Sequence, residues 1–224
     1  MPKPKKVFPD KWDLEILATL YYRKSGTATR LGKDVHLSRA TISDRLKWLV
    51  ENGYLSKPKV EISTDRLRKV YLAPPYEKVK EALLKWLEKQ VSESIDDKKS
   101  FISIKEDASV RKAIMKEIEQ KYSKRIVKLF SYAPTELITK LKENSPLDEI
   151  VSLLRNLDIE CPFLRLFEWE LAKIITVDNG LVKLTDYGLS CIINYWSDDL
   201  VAKTNIIREL NPTIYNNLLR EICK

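Results

Sequence analysis

The chain is 224 residues long, 44% hydrophobic, and carries a formal net charge of +8. That length suits one large domain or two small ones, and no apolar run approaches the ~18 residues a membrane span needs. The start, Met1-Pro2-Lys3-Pro4-Lys5-Lys6, is basic without an apolar stretch behind it, so no secretory signal is expected.

The first periodic segment runs from about Trp12 to Lys24, with Leu14, Leu17, Leu20 and Tyr21 on one face and Ser25-Gly26 as its stop. Thr27 is placed to start a short helix over Ala28–Val35, and His36-Leu37 makes a turn. Ser38 then caps a third helix that Asn52-Gly53 ends. Its apolar residues Ile42, Leu46, Leu49 and Val50 share one side; Arg39, Thr41, Ser43, Asp44, Arg45 and Lys47 cover the other, with Ala40 among them. A short helix that is greasy behind and donor-rich in front suits a DNA major groove. Beyond Gly53 the period changes to two: Lys59-Val60-Glu61-Ile62 and Lys69-Val70-Tyr71-Leu72 flank a turn at Ser63-Thr64-Asp65, which predicts a β-hairpin. A long helix is expected from Tyr76 to Gln90, its apolar stripe open either to a dimer contact or to the C-terminal region.

Residues 91–100 are polar and read as a linker or a frayed helix end. Asp107 is placed to cap a helix to about Lys124, Thr135 one to Lys142, and Ser145 another with Pro146 at its first position. Cys161-Pro162 opens an aromatic-rich helix containing Phe163, Phe167 and Trp169, read as core or dimer interface before ligand pocket. Asp178-Asn179-Gly180 is a tight turn, followed by a short strand to Leu184 and a helix start after Thr185.

The charge is unevenly spread. Residues 1–90 hold 20 Lys+Arg against 11 Asp+Glu, a net +9, whereas residues 91–224 come to −1 and residues 145–224 to −4. An excess confined to the segment with the donor-rich helix points to a polyanionic partner. Five glycines leave no phosphate-cradling loop, the lone His36 has no partners at ligand spacing, and no nucleophile motif occurs. Neither an enzyme nor a metal or other cofactor is therefore expected. Cys161, Cys191 and Cys223, odd in number and scattered, fit reduced, mostly buried thiols in the cytoplasm. Abundant lysine, with glutamine only at positions 90 and 120, leans toward a thermophilic source.

Over residues 12–90 the order helix, helix, recognition-type helix, hairpin and closing helix resembles the winged helix-turn-helix transcriptional regulators, most of all the multiple-antibiotic-resistance and arsenic-repressor-like groups. The resemblance rests on Leu37-Ser38-Arg39-Ala40-Thr41-Ile42-Ser43, on Leu46 with Leu49, on Asn52-Gly53-Tyr54-Leu55 and on Lys69-Val70-Tyr71-Leu72. It implies a homodimer on double-stranded DNA, each recognition helix in a major groove and each wing on minor groove or backbone. Arg39, Ala40, Thr41, Ser43 and Asp44 then fall where bases are in reach, with Ser38 at the cap, while Arg45 and Lys47 meet phosphate. Arg66, Arg68 and Lys69 belong to the wing, and Thr27 and Arg30 to the phosphate-facing start of the second helix. Other readings stay open. Arg45 could pair with Asp44 or Glu51, Asp44 could accept from cytosine or anchor Arg45, and the wing charges could guard a strand edge.

The expected fold is mainly α with a small β-hairpin wing. Residues 1–90 form the winged DNA-binding domain, 91–132 a helical linker or dimerisation segment, and 133–224 a helical C-terminal domain. Residues 133–204 read either as a second, degenerate winged helix or as a helical dimerisation domain with one incidental hairpin. The leading function is a nucleoid-associated transcriptional regulator, with the acidic C-terminal region open to a protein partner. A replication-initiator or partition-type protein with two winged helices, and a winged-helix interaction scaffold, are the alternatives.

Overall fold

A computed structural model of the chain describes residues 8–63, 66–93, 108–131 and 133–192. It is mainly helical, with two small antiparallel sheets. Helix α1 spans Lys11–Arg23 behind a capping box in which the Asp10 side chain accepts from the Trp12 and Asp13 backbone N–H groups and Asp13 answers to the Asp10 N–H. It ends at Lys24, whose left-handed φ of 66° turns the chain. Its apolar residues Leu14, Ile16, Leu17, Ala18 and Leu20 are fully buried, and so are Glu15 and Thr19 on its remaining face. A helix buried all round must be covered from several sides: α1 lies at the centre of the molecule.

Ser25-Gly26 stops α1 as expected but also forms a two-residue strand, β1. Helix α2 covers Ala28–Val35 from its Thr27 cap, and α3 covers Arg39–Glu51 between Ser38 and Asn52, as their sequences predict. Strands β2 (Lys59–Ser63) and β3 (Arg66–Leu72) pair antiparallel with Ile62 opposite Leu67 and Glu61 opposite Arg68. The root of β3 then pairs with β1, giving the sheet order β1-β3-β2. Of the expected turn at Ser63-Thr64-Asp65, Ser63 instead ends β2 opposite Arg66, and Thr64 and Asp65 lie outside the described residues. Helix α4 (Tyr76–Glu93) runs three residues beyond its expected end at Gln90 and buries Val79, Ala82 and Leu83. It packs on α1 and on α5 (Ala108–Phe130), to which the Lys80–Glu119 pair ties it at 2.8 Å. Its stripe is thus covered within the chain.

Helix α5 passes the expected end at Lys124 because Ile126 and Phe130 continue its buried stripe. The rest follows as α6 (Thr135–Lys142), β4 (Ser145–Pro146), α7 (Leu147–Asn156), α8 (Pro162–Leu171), β5 (Ile175–Asp178) and β6 (Leu181–Leu184). Two expected caps are not used. Pro134 rather than Thr135 precedes α6, and Ser145 sits in β4, with its Oγ donating to the Lys140 carbonyl at 2.8 Å. Asn179 and Gly180, both with positive φ, make the turn between β5 and β6.

The second half thus repeats the first: helix, two-residue strand, helix, helix, hairpin. Its sheet order, β4-β6-β5, mirrors β1-β3-β2, because each short strand pairs with the returning arm of the hairpin. The halves meet through α1 and α8. Phe163, Leu166 and Phe167 are fully buried there, and Phe167 meets Tyr21 edge-on at 5.7 Å. Tyr22 donates to Glu170 at 2.8 Å, and Arg23 pairs with both Asp34 and Asp148. No helix among the described residues is long and apolar enough to cross a membrane.

Candidate nucleic-acid interface

Three elements converge on one open groove of about 870 Å³: the start of α2, the outer face of α3 and the β2–β3 hairpin. Each is aimed by local chemistry. The Thr27 hydroxyl accepts from the Arg30 N–H at 3.3 Å, leaving the first turn of α2 and its exposed Arg30 at the groove mouth. Gly32 lets α2 end tightly, since a Cβ there would lie 2.8 Å from the Leu37 carbonyl oxygen. His36, in the left-handed region at φ 58°, completes the turn. Ser38 Oγ accepts from the Thr41 N–H at 3.1 Å and contacts the Thr41 hydroxyl at 2.8 Å, so both hydroxyls serve the cap.

Along α3, Arg39, Ser43 and Lys47 recur every four residues and line the groove, with Asp44 and Glu51 beside them. Ser43 donates back to the Arg39 carbonyl at 2.9 Å, and Lys47 stands 3.8 Å from Glu51. Ala40 and Thr41 are exposed on the first turn, outside the lining. On the hairpin, Arg68 and Lys69 reach the groove from β3, and Arg66 opens that strand opposite Ser63. The residue order alone did not single out Lys33, which lines the groove one turn after Arg30. The spacing of three from Arg30 is the signal that identifies it. Among the described residues, no carboxylate stands within 4 Å of Arg30, Lys33, Arg39, Arg68 or Lys69.

Arg45 departs from its expected role at phosphate. Its guanidinium is half-buried behind the helix, with Nη1 2.7 Å from Asp10 Oδ1 and 2.8 Å from Asp13 Oδ1. Burial works against its charge, but the two carboxylates outweigh that and raise its pKa. It also pairs with neither Asp44 nor Glu51. Asp44 is therefore not needed as the anchor of Arg45 and stands exposed in the groove. The reason is tertiary: Arg45 lies between the buried and exposed faces, where the start of α1 passes.

The groove offers cations and hydrogen-bond donors in a concave frame. No group of three or more His, Cys, Asp or Glu among the described residues is arranged to hold a metal ion. Cys161 and Cys191 are free and half-buried, and burial raises the Cys161 thiol to about 12. No protein-family model matches the chain, and no curated protein is significantly similar to it.

Proposed function

We propose that this protein is a duplex-DNA-binding transcriptional regulator of winged helix-turn-helix architecture, with α3 in the major groove and the hairpin as its wing. One observation carries the reading. Arg30, Lys33, Arg39, Lys47, Arg68 and Lys69, from three separate elements, ring a single groove in which Asp44 and Glu51 are the only counter-charges among the described residues. A cationic frame around a protruding, donor-rich helix complements a phosphate-lined groove with readable base edges. Arg39 is assigned to a base, and Arg30, Lys33 and Arg68 to phosphates.

The repeated element order favours a second reading, in which two winged helices bind adjacent stretches of DNA. Burial argues against that use. Helix α8, the counterpart of α3, presses Phe163 and Phe167 against α1 and has no free outer face to read with. The second unit is better suited to protein contact, and its net −4 over residues 145–224 agrees.

The test is a gel-shift titration of the full chain on duplexes selected from a random pool, repeated at several salt concentrations. Affinity should fall steeply with salt. Arg39→Ala should weaken the selected site more than random duplex, while Arg68→Ala should weaken both and reduce the salt slope by about one. Unchanged binding in both variants overturns the assignment. Sedimentation in parallel tests whether the active species is a homodimer.

A further inference from the structure

The wing is amphipathic in a direction that charge counting hides. Side chains two apart along a strand share a face, so Leu67, Lys69 and Tyr71 stand together on β3. Register adds Ile62, opposite Leu67, and Val60, opposite Lys69. At the root of this face Tyr71 is 8% exposed and belongs to the core. Toward the tip, Val60, Ile62 and Leu67 are 60%, 81% and 75% exposed. The same face of β3 lines the groove across from α3. β-Propensity accounts for one branched residue in such a ribbon, but not for three aliphatic side chains left together in water.

From this face we infer that the wing engages the sugar edges and a base step of the minor groove through Ile62, Leu67 and Val60, and so selects flexible flanking sequence. The inference rests on the DNA-binding reading above. Charge decides the occupant. Lys69 sits within the apolar face, opposite Val60, so any surface that covers the three aliphatics must also receive a cation. A minor groove, with apolar sugar walls between two rows of phosphates, has that pattern. Apolar wedges enter minor grooves by partly unstacking a step, which costs least at pyrimidine–purine steps and most in stiff A-tracts. Arginine alone would favour the narrow A-tract. The apolar tip shifts the preference to a TpA or CpA step beneath the wing.

The experiment uses the full chain and a duplex recovered from a random pool, re-synthesised with TpA or ApA beneath the wing and 2-aminopurine in that step. The TpA duplex should bind about tenfold tighter, with increased 2-aminopurine fluorescence on binding. I62S/L67S should abolish that preference and the fluorescence gain while leaving the salt slope unchanged, because lost apolar contact releases no counterions. Both positions are largely in water, so the melting temperature should hold. Equal binding of the two duplexes, or a variant that keeps the preference, overturns the inference while leaving DNA binding intact. A variant that turns a dimer into a monomer without DNA also overturns it and makes the face a contact between copies. Recovery of no duplex at all removes both readings.

Discussion

Glu15, in the middle of α1, accepts a 2.6 Å hydrogen bond from the backbone N–H of Leu164, 149 residues further along the chain. Its other oxygen accepts from the Phe163 N–H at 3.2 Å. Helix α8 starts behind Cys161, whose side chain makes no cap bond, and Pro162 has no N–H to satisfy. The two unsatisfied donors of its first turn are therefore met from the other half of the molecule. The equivalent helix in the first half, α3, is capped locally by Ser38 and keeps its start in solvent. One helix is thus built to face outward and the other to be held inward.

This arrangement makes stability depend on pH. Burial is the main influence on Glu15 and raises its pKa to about 7, against the opposing pull of the two N–H groups and of Arg155. Glu168, Glu160 and Cys161 also face this region. The folded chain holds the Glu15 proton to a higher pH than the unfolded chain does. The stabilisation is therefore complete below pH about 4.5 and is lost as pH rises to about 7; its size is on the order of 3 kcal/mol. Glu15→Gln should flatten denaturant stability between those pH values, at a constant cost of about 1–2 kcal/mol because its amide nitrogen cannot accept from one of the two N–H groups. Glu15→Ala should lose about 2–4 kcal/mol by orphaning both N–H groups. An unaltered pH profile in Glu15→Gln would refute the assignment.

Arg45 and Arg39 lie six residues apart on one short helix and should behave oppositely. Asp13, a partner of Arg45, is fully buried, so Arg45→Ala takes a compensating charge away from a buried carboxylate, at about 3 kcal/mol. Thermal melting should drop by roughly 6–12 °C. Arg39 is exposed, and Arg39→Ala should change stability by less than about 0.5 kcal/mol while carrying the DNA defect. Melting curves beside binding titrations separate the two. Equal melting temperatures would remove the structural role of Arg45.

The contrast between these arginines shows where sequence reading stops. The caps at Thr27 and Ser38, the presence of the hairpin and the Asn179-Gly180 turn are set by neighbours along the chain, and local patterns indicate them. The roles of Arg45 and Glu15 are set by partners that the fold brings from far away: Asp10, 35 residues distant, and the start of α8. Glu15 occupies a position that reads as the solvent side of an amphipathic helix, and no local signal marks it as buried. β1 and β4 carry no local signal for a related reason. A two-residue strand has no period, and only the pairing to β3 and β6 defines it.

Gly32 sets the angle between α2 and α3. Alanine normally improves a helix by about 1 kcal/mol over glycine, yet a Cβ here would meet the Leu37 carbonyl oxygen at 2.8 Å. That oxygen belongs to the tight turn, where the Leu37 N–H also binds the Gly32 carbonyl at 3.1 Å. Gly32→Ala should therefore destabilise by about 1–2 kcal/mol and weaken DNA binding further by tilting α3. A stabilised Gly32→Ala variant in chemical denaturation would show that the turn has room to relax.

Asp44 is the one carboxylate in the outer row of α3 near its start, and Arg45 makes no use of it. Among Arg39, Lys47 and Arg68 it lowers the cationic character of the groove, so against phosphate alone it is a penalty. A carboxylate at this position has a use if it accepts from a cytosine amino group, a contact that discriminates by about 1–3 kcal/mol. Asp44→Asn should then tighten binding to random duplex severalfold, because a repulsive charge is gone, and loosen binding to the selected site. The ratio of the two affinities is the quantity to measure, at one fixed salt concentration. A rise in both affinities together would assign Asp44 to no base and leave sequence reading to Arg39 and its neighbours.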